Sequence, residues 1–263
     1  MVLSPVEQRI KAKIEAVGVP LKDWDINIYR GVLTGYNEAF IIDGKKKTEL
    51  IAEDSTSVEI IRPILRGRDI KRYDYEFADL YLITTFPSMK IDINKYPAIK
   101  KHLLSYGYDR LKQTGEHGTR KKTNNEWYET QDSISYWSDF LQQKIVYPET
   151  TQKACFAFDG SGVFIDKTCF MLISKEAKYL QATLSSTLFE FAYKTLFSSI
   201  QLGKDGYQYN KHALMKLPIA IPRKEIKKQI EKLLEAKDYN TLDKLIYNLY
   251  SLEQEEIDFI EKH

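Results

Sequence analysis

The chain opens on Ser4-Pro5-Val6-Glu7, a serine cap followed by proline at the first helical position and glutamate three residues past the cap. Val6, Ile10, Ile14 and Val17 then recur at helical spacing until Gly18 and Pro20 end the run, which predicts one short helix. Beyond Trp24 the period changes. Ile26 and Ile28 alternate with polar neighbours as in a half-buried strand, Thr34-Gly35-Tyr36-Asn37 reads as a turn, and Ala39 to Ile42 reads as a second strand. This predicts a hairpin holding a short polar loop, with Arg30 at its entrance and Thr34 and Asn37 at its tip. Asp43-Gly44 reads as another turn, whose polar Lys45-Lys46-Lys47 tip leads hairpin-fashion into Thr48 to Ala52.

Further on, Ile60 to Leu65 leads into an arginine-rich block, R-P-I-L-R-G-R-D-I-K-R. Tyr81 to Phe86 reads as a buried strand, and Tyr96-Pro97-Ala98-Ile99 leads into a helix ending near Gly107. The stretch from there to Glu129 is the most polar of the chain and predicts a mobile basic loop carrying Arg110, Lys112, Arg120, Lys121 and Lys122, with Trp127 as a core anchor. Lys144 to Tyr147, Ala154 to Phe158 and Val163 to Ile173 read as strands, the last two joined by a tight turn at Asp159-Gly160-Ser161-Gly162. Ser174 then caps a long helix to about Phe197, with Leu180, Leu184, Leu188 and Phe191 on its buried face. After the Gln201 to Tyr207 loop, which carries Lys204, Leu217 to Pro222 closes the first unit. Three helices follow, the third opened by a Ser251/Gln254 capping box. The pattern predicts an α+β protein with a mixed or antiparallel sheet and a C-terminal helical region, divided as 1–23 (linker helix), 24–222 (main domain) and 223–263 (helical appendage).

Composition changes this picture little, since 43% hydrophobic and 29% charged residues describe an ordinary globular chain. No run approaches the roughly 20 apolar residues that span a bilayer, and the start carries no signal-peptide core, so no membrane partner and a cytoplasmic location are expected. Cys155 and Cys169 lack metal-site spacing and are expected buried and reduced. The formal net charge of +2 hides an uneven distribution. Lys100 to Lys122 carries seven Lys/Arg against two acids, Arg62 to Arg72 five against one, and Arg223 to the end eight against ten. Positive charge concentrated in the centre suits a surface that faces a polyanion.

The residues that catalysis would need do not assemble. There is no G-x-S-x-G elbow, H-E-x-x-H, Walker loop or dinucleotide fingerprint, the four histidines have no metal-ligand spacing, and no P-D dipeptide is present to begin a metal nuclease motif. No catalytic residue, metal or cofactor is therefore assigned to this chain.

R-G-V-L-T-G-Y-N-E-A-F-I-I-D from Arg30 and I-R-P-I-L-R-G-R-D-I-K-R-Y from Ile61 resemble the C-terminal target-recognition domain of TaqI-like DNA methyltransferases and type IIG restriction-modification enzymes. Y-P-A-I at Tyr96, W-Y-E at Trp127, K-I-V-Y-P at Lys144 and L-M-K-L-P-I at Leu214 follow in the same order. The resemblance implies sequence-specific binding of double-stranded DNA. It also implies catalysis, S-adenosylmethionine and a flipped target base, adenine in the resembled family, in a methyltransferase domain N-terminal to this chain or in a separate subunit. Expected DNA-binding residues are Arg30, Thr34, Asn37, Arg66, Arg68, Arg110, Lys112, Arg120, Lys121, Lys122, Lys204 and Tyr207. The last two lie in a segment that the resemblance places near DNA. Two other classes stay open: a type I specificity subunit, which normally carries two recognition halves not visible here as a repeat, and a nuclease with an unrecognised site.

Overall fold

The run K-I-V-Y-P at Lys144–Pro148 is buried at every position, so it cannot lie in a sheet with one wet face. It forms β6, an inner strand of the antiparallel sheet ordered β2 (Asn27–Arg30), β10 (Cys169–Ile173), β6, β8 (Ala157–Asp159). In the computed structural model, which describes residues 3–197, 201–202 and 206–263, this sheet separates two cores. Ile145, Tyr147 and Leu172 belong to one core, and Val146, Ala157 and Met171 to the other, as the two-residue period of a strand requires.

The first core is mainly helical. It gathers α1 (Pro5–Val17), α6 (Ala177–Ser185), α7 (Thr187–Phe191), α9 (Lys224–Glu235), α10 (Tyr239–Leu249) and α11 (Gln254–Glu261), with a two-stranded ladder of β1 (Gly18–Pro20) and β13 (Pro218–Ala220). The second core is covered by a sheet ordered β3 (Ile41–Asp43), β5 (Leu80–Ile83), β4 (Ile61–Leu65), β9 (Phe164–Ile165), parallel only between β4 and β9. The helices α2 (Asn37–Phe40), α3 (Gly44–Glu53), α4 (Pro97–Leu104) and α5 (Tyr108–Leu111) pack around it. A small sheet of β11 (Gln201–Leu202), β12 (Gly206–Gln208) and β7 (Thr150–Thr151), followed by α8 (Lys211–Leu214), lies beside the first. The fold is α+β, as the pattern predicts, and no helix among the described residues is long and apolar enough to cross a membrane.

Several local expectations need correction. Trp24 to Asp43 is not a hairpin: β2 pairs with β10, Arg30 opposite Phe170, whereas β3 pairs with β5 in the other sheet. Gly31 is the point of departure, where an added Cβ would lie 2.0 Å from the carbonyl oxygen of Asp166. Ala39 and Phe40 finish a helical turn instead of starting a strand. Lys45 to Ala52 is helical because the Asp43 carboxylate accepts from the Lys46 N–H and caps α3.

The long helix predicted from Ser174 is interrupted at Ser186, whose extended backbone and hydroxyl begin α7, and it ends in a π-helical stretch over Ala192–Phe197. Leu180, Leu184, Leu188 and Phe191 are nevertheless all buried. The third C-terminal helix is opened by Glu253 and Glu256, not by Ser251 and Gln254, because Ser251 sits at φ 53° in the left-handed region. Glu256 is buried and pairs with Lys13 of α1 at 2.7 Å. At the other end, the Ser4/Glu7 capping box forms as expected. Both cysteines are free thiols, Cys169 buried and Cys155 half-buried.

Candidate nucleic-acid interface

The five basic residues between Arg62 and Arg72 do not behave alike. Arg62 donates to the carbonyls of Val58 and Ile61, Lys71 donates to the carbonyl of Arg68, and Arg72 donates to Ser185 O and Thr187 Oγ1. Arg66 makes a bidentate pair with buried Asp69, Nε to Oδ2 at 2.9 Å and Nη2 to Oδ1 at 2.8 Å. Burial works against the Asp69 carboxylate, but the side-chain and backbone hydrogen bonds from Arg66 more than offset it and hold the group below its usual range. That pair fixes the turn Gly67–Asp69, and Arg68 projects from the turn exposed, with no hydrogen-bond or ion-pair partner for its guanidinium among the described residues.

Gly67 permits a close approach within the protein itself. Its N–H donates to Thr168 Oγ1 at 3.1 Å, and an added Cβ would meet Thr168 Oγ1 at 3.2 Å and Pro148 Cβ at 3.4 Å. The turn thereby forms one wall of a cleft of about 760 Å³, and Glu149 to Lys153 forms the facing wall. The block is also tied to the helical core, since Tyr73 stacks on Tyr239 of α10 with ring centres 4.1 Å apart.

From this cleft a row of charged groups runs along the surface. Arg30, half-exposed, donates through Nη2 to Glu149 Oε2 and through Nε to the carbonyl of Lys167, both at 2.9 Å. On its other side lies Asp132, whose carboxyl is pushed up by burial and pulled back by the charges of Arg30 and Lys121. Lys121 and Lys122 are exposed and make no hydrogen bond or ion pair among the described residues. Glu149 thus joins Arg30 to the cleft that Arg68 lines, and Arg30 and Lys121 both lie within electrostatic reach of Asp132, although these residues are distant in sequence.

The polar stretch between them is not the free loop its composition predicts. Arg120 is buried and donates to four backbone carbonyls, those of Leu111, Thr34, Glu129 and Trp127, at 2.6 to 3.0 Å. Its guanidinium also lies over the Phe40 ring. Burial lowers its pKa to about 10, against a small opposing pull from Glu129, so it stays protonated at neutral pH. Its backbone joins Lys112 and Gly115, which closes the loop on itself. Arg120 is an internal clamp and has no free donor face for a phosphate.

Thr34 is likewise fully buried. Its hydroxyl donates to Asn37 Oδ1 at 2.6 Å and accepts from the Tyr36 N–H, which holds the turn in which Gly35 takes φ 78°. Asn37 is exposed, and its amide nitrogen has no hydrogen-bond partner among the described residues. Tyr207 is buried against Tyr209, with their hydroxyls 3.2 Å apart, so it cannot reach a phosphate either. Arg110 lies over the Tyr36 ring and donates to the Gly118 carbonyl, and Lys112 pairs with Asp109 at 2.6 Å. Both are at the surface. Lys204 lies outside the described residues. Trp127 is half-buried among Tyr108 and Tyr128, as an anchor would be. Sequence reasoning missed Glu149, Thr168 and Asp132. Their only signal is spatial, because Arg30 meets a carboxylate 119 residues away.

The family model of the TaqI-like C-terminal specificity domain matches residues 62–219, a span that includes the arginine block, the pinned loop and both walls of the cleft. The chain belongs to this family. Among solved structures, this specificity domain is similar to the type IIL restriction-modification enzyme MmeI in complex with DNA, with TM-score 0.59 and 14% identity over 93% of this chain and 35% of that one. It is also similar to the type IIG restriction endonuclease BpuSI, with TM-score 0.59 and 17% identity over 94% of this chain and 33% of that one. At these identities the likeness is one of fold, and the specificity domain spans about a third of the length of either enzyme. No curated protein matches the sequence.

Proposed function

We propose that this specificity domain recognises a particular double-stranded DNA site on behalf of a restriction-modification DNA methyltransferase. The observation that carries the reading is the exposed Arg68, which lines the cleft and projects from the turn that the Arg66–Asp69 clamp fixes, within the family-matched region. An arginine reads guanine through O6 and N7 with two donors at once. Arg30, Lys121 and Lys122 would take phosphates, and Arg110, Lys112 and Asn37 would add contacts from the exposed surface.

Catalysis, in this reading, belongs to a methyltransferase domain of the same polypeptide or a separate subunit, with adenine as target. S-adenosylmethionine would be bound there. The residues present here do not fit that cofactor: β3 runs directly into α3 through Gly44, but an added Cβ on this glycine would lie 2.1 Å from the Asp79 carboxylate, so an acidic side chain fills the position a cofactor loop would keep open. The place of work is the cytoplasm, where the host DNA is.

Selection of duplexes from a random pool by the full chain tests the reading. Enrichment of one site is expected, and Arg68→Ala should cost about 1–3 kcal/mol on that site and much less on scrambled duplex. Arg66→Ala, by contrast, should lower thermal stability because it releases Asp69. A pool that stays random after repeated rounds would count against sequence recognition.

A further inference from the structure

On the DNA-recognition reading above, we infer that Glu149 is a second base-reading residue, and that the cleft it shares with Arg68 is built to read one G·C pair from both of its bases. Thr168 ties the two walls together. Its hydroxyl accepts from the Gly67 N–H on the Arg68 side, and its carbonyl accepts from the Glu149 N–H at 2.8 Å on the other. The Glu149 carbonyl in turn accepts from the Tyr209 N–H at 2.8 Å, so the backbone of Glu149 is fixed from both sides.

The side chain is equally well placed. Oε2 accepts from Arg30 Nη2 and Oε1 from Gln208 Nε2, each at 2.9 Å, while a quarter of the side chain stays exposed and lines the cleft. A carboxylate oxygen has two lone pairs, so each still has room for one more donor on the open side.

A carboxylate at a surface meant for a polyanion repels phosphate, and it becomes favourable only where a donor meets it. On the major-groove edge, cytosine offers its N4 amino group with no acceptor beside it. Adenine offers N6 next to the acceptor N7, which repels a carboxylate, while thymine and guanine offer acceptors. Guanine O6 and N7 are the partners of an arginine fork. In a G·C pair these two edges lie side by side, so a guanidinium on one wall and a carboxylate on the other match both bases and reject the remaining pairs with a like charge or an unpaired group.

The test uses the duplex selected by the full chain, with each cytosine replaced in turn by 2-pyrimidinone, which lacks the N4 amino group. At one position wild-type affinity should fall roughly 5- to 140-fold. Glu149→Gln should lose most of that sensitivity, and Arg68→Ala should relax preference at the same base pair. Glu149→Gln should also bind scrambled duplex at least as tightly as wild type, because a negative charge has left the surface. Wild-type indifference to the amino group at every cytosine refutes the inference without any variant. So does a Glu149→Gln protein that melts lower and binds selected and scrambled duplexes worse by one common factor, the result expected if the residue only pins Arg30 and Gln208. A wild-type chain that selects no sequence at all overturns the DNA-recognition reading as well, and is distinguishable from a selected site whose preferences Glu149→Gln leaves intact.

Discussion

Replacing Arg120 with methionine keeps an unbranched side chain in the site but removes the guanidinium over Phe40 and all four hydrogen bonds to carbonyls. The four acceptors are not equivalent. Thr34 O also accepts from the Gln131 N–H and Glu129 O from Gln113 Nε2, whereas Leu111 O and Trp127 O have no second donor among the described residues. Two orphaned acceptors at about 1–3 kcal/mol each, and two broken but backed-up bonds at about 0.5–1.5 kcal/mol each, set the destabilising side. Relief from holding a charge inside the protein offsets part of it. The expected net loss is on the order of 3–5 kcal/mol, or about 6–20 °C in Tm for a chain of this size. Thermal unfolding followed by circular dichroism measures it, and limited trypsin digestion at Lys121 and Lys122 reports whether the loop has come loose. A loss under about 1 kcal/mol, with the loop still protected, would refute the clamp.

Other consequences are as direct. Lys144→Met leaves the buried Asp159 carboxylate with N–H and hydroxyl donors but no cation, so urea unfolding should show a loss of about 3–5 kcal/mol, partly recovered by adding Asp159→Asn. Burial holds His102 below the usual imidazole pKa, against its hydrogen bond with the Ala39 carbonyl. The unfolded chain therefore takes up the proton first as pH falls, and stability present above about pH 6.5 is lost below it. His102→Gln should flatten the dependence of Tm on pH between 7 and 5. Changing Lys121 and Lys122 together to glutamine should leave Tm unchanged and reduce the log–log salt slope of DNA binding by up to about 0.9 for each phosphate that is no longer neutralised, and an unaltered slope would place both lysines outside the interface.

What could be read from the sequence followed from locality. The Ser4/Glu7 cap and the buried faces of α1 and α6 depend on neighbours within four residues, and both were legible. The hairpin from Trp24 to Asp43 was not, because two adjacent extended segments look alike whether they pair with each other or with partners in different sheets. Charge counting marked regions but could not rank the residues in them. Arg66, Arg68 and Arg120 are chemically identical in a sequence, and only the positions of Asp69 and four carbonyls separate a clamp from an exposed guanidinium. Polarity suggested mobility between Lys112 and Glu129 because the buried cation that closes the loop reads locally as one more surface charge.

The pairing of Arg30 with Phe170 has a consequence for how the protein is made. About 140 residues separate these partners, so during synthesis at roughly 5–20 residues per second β2 waits some 7–28 s before the strand it needs has left the ribosome. Until then the segment that ends in Arg30 has no ladder, and the apolar side chains of both cores are exposed together, because the sheet that separates them is incomplete. Synonymous codon changes that slow translation between Pro148 and Phe170 would lengthen this interval and lower soluble yield, while the same changes in the last codons, after β10 (Cys169–Ile173) has emerged, would leave it untouched.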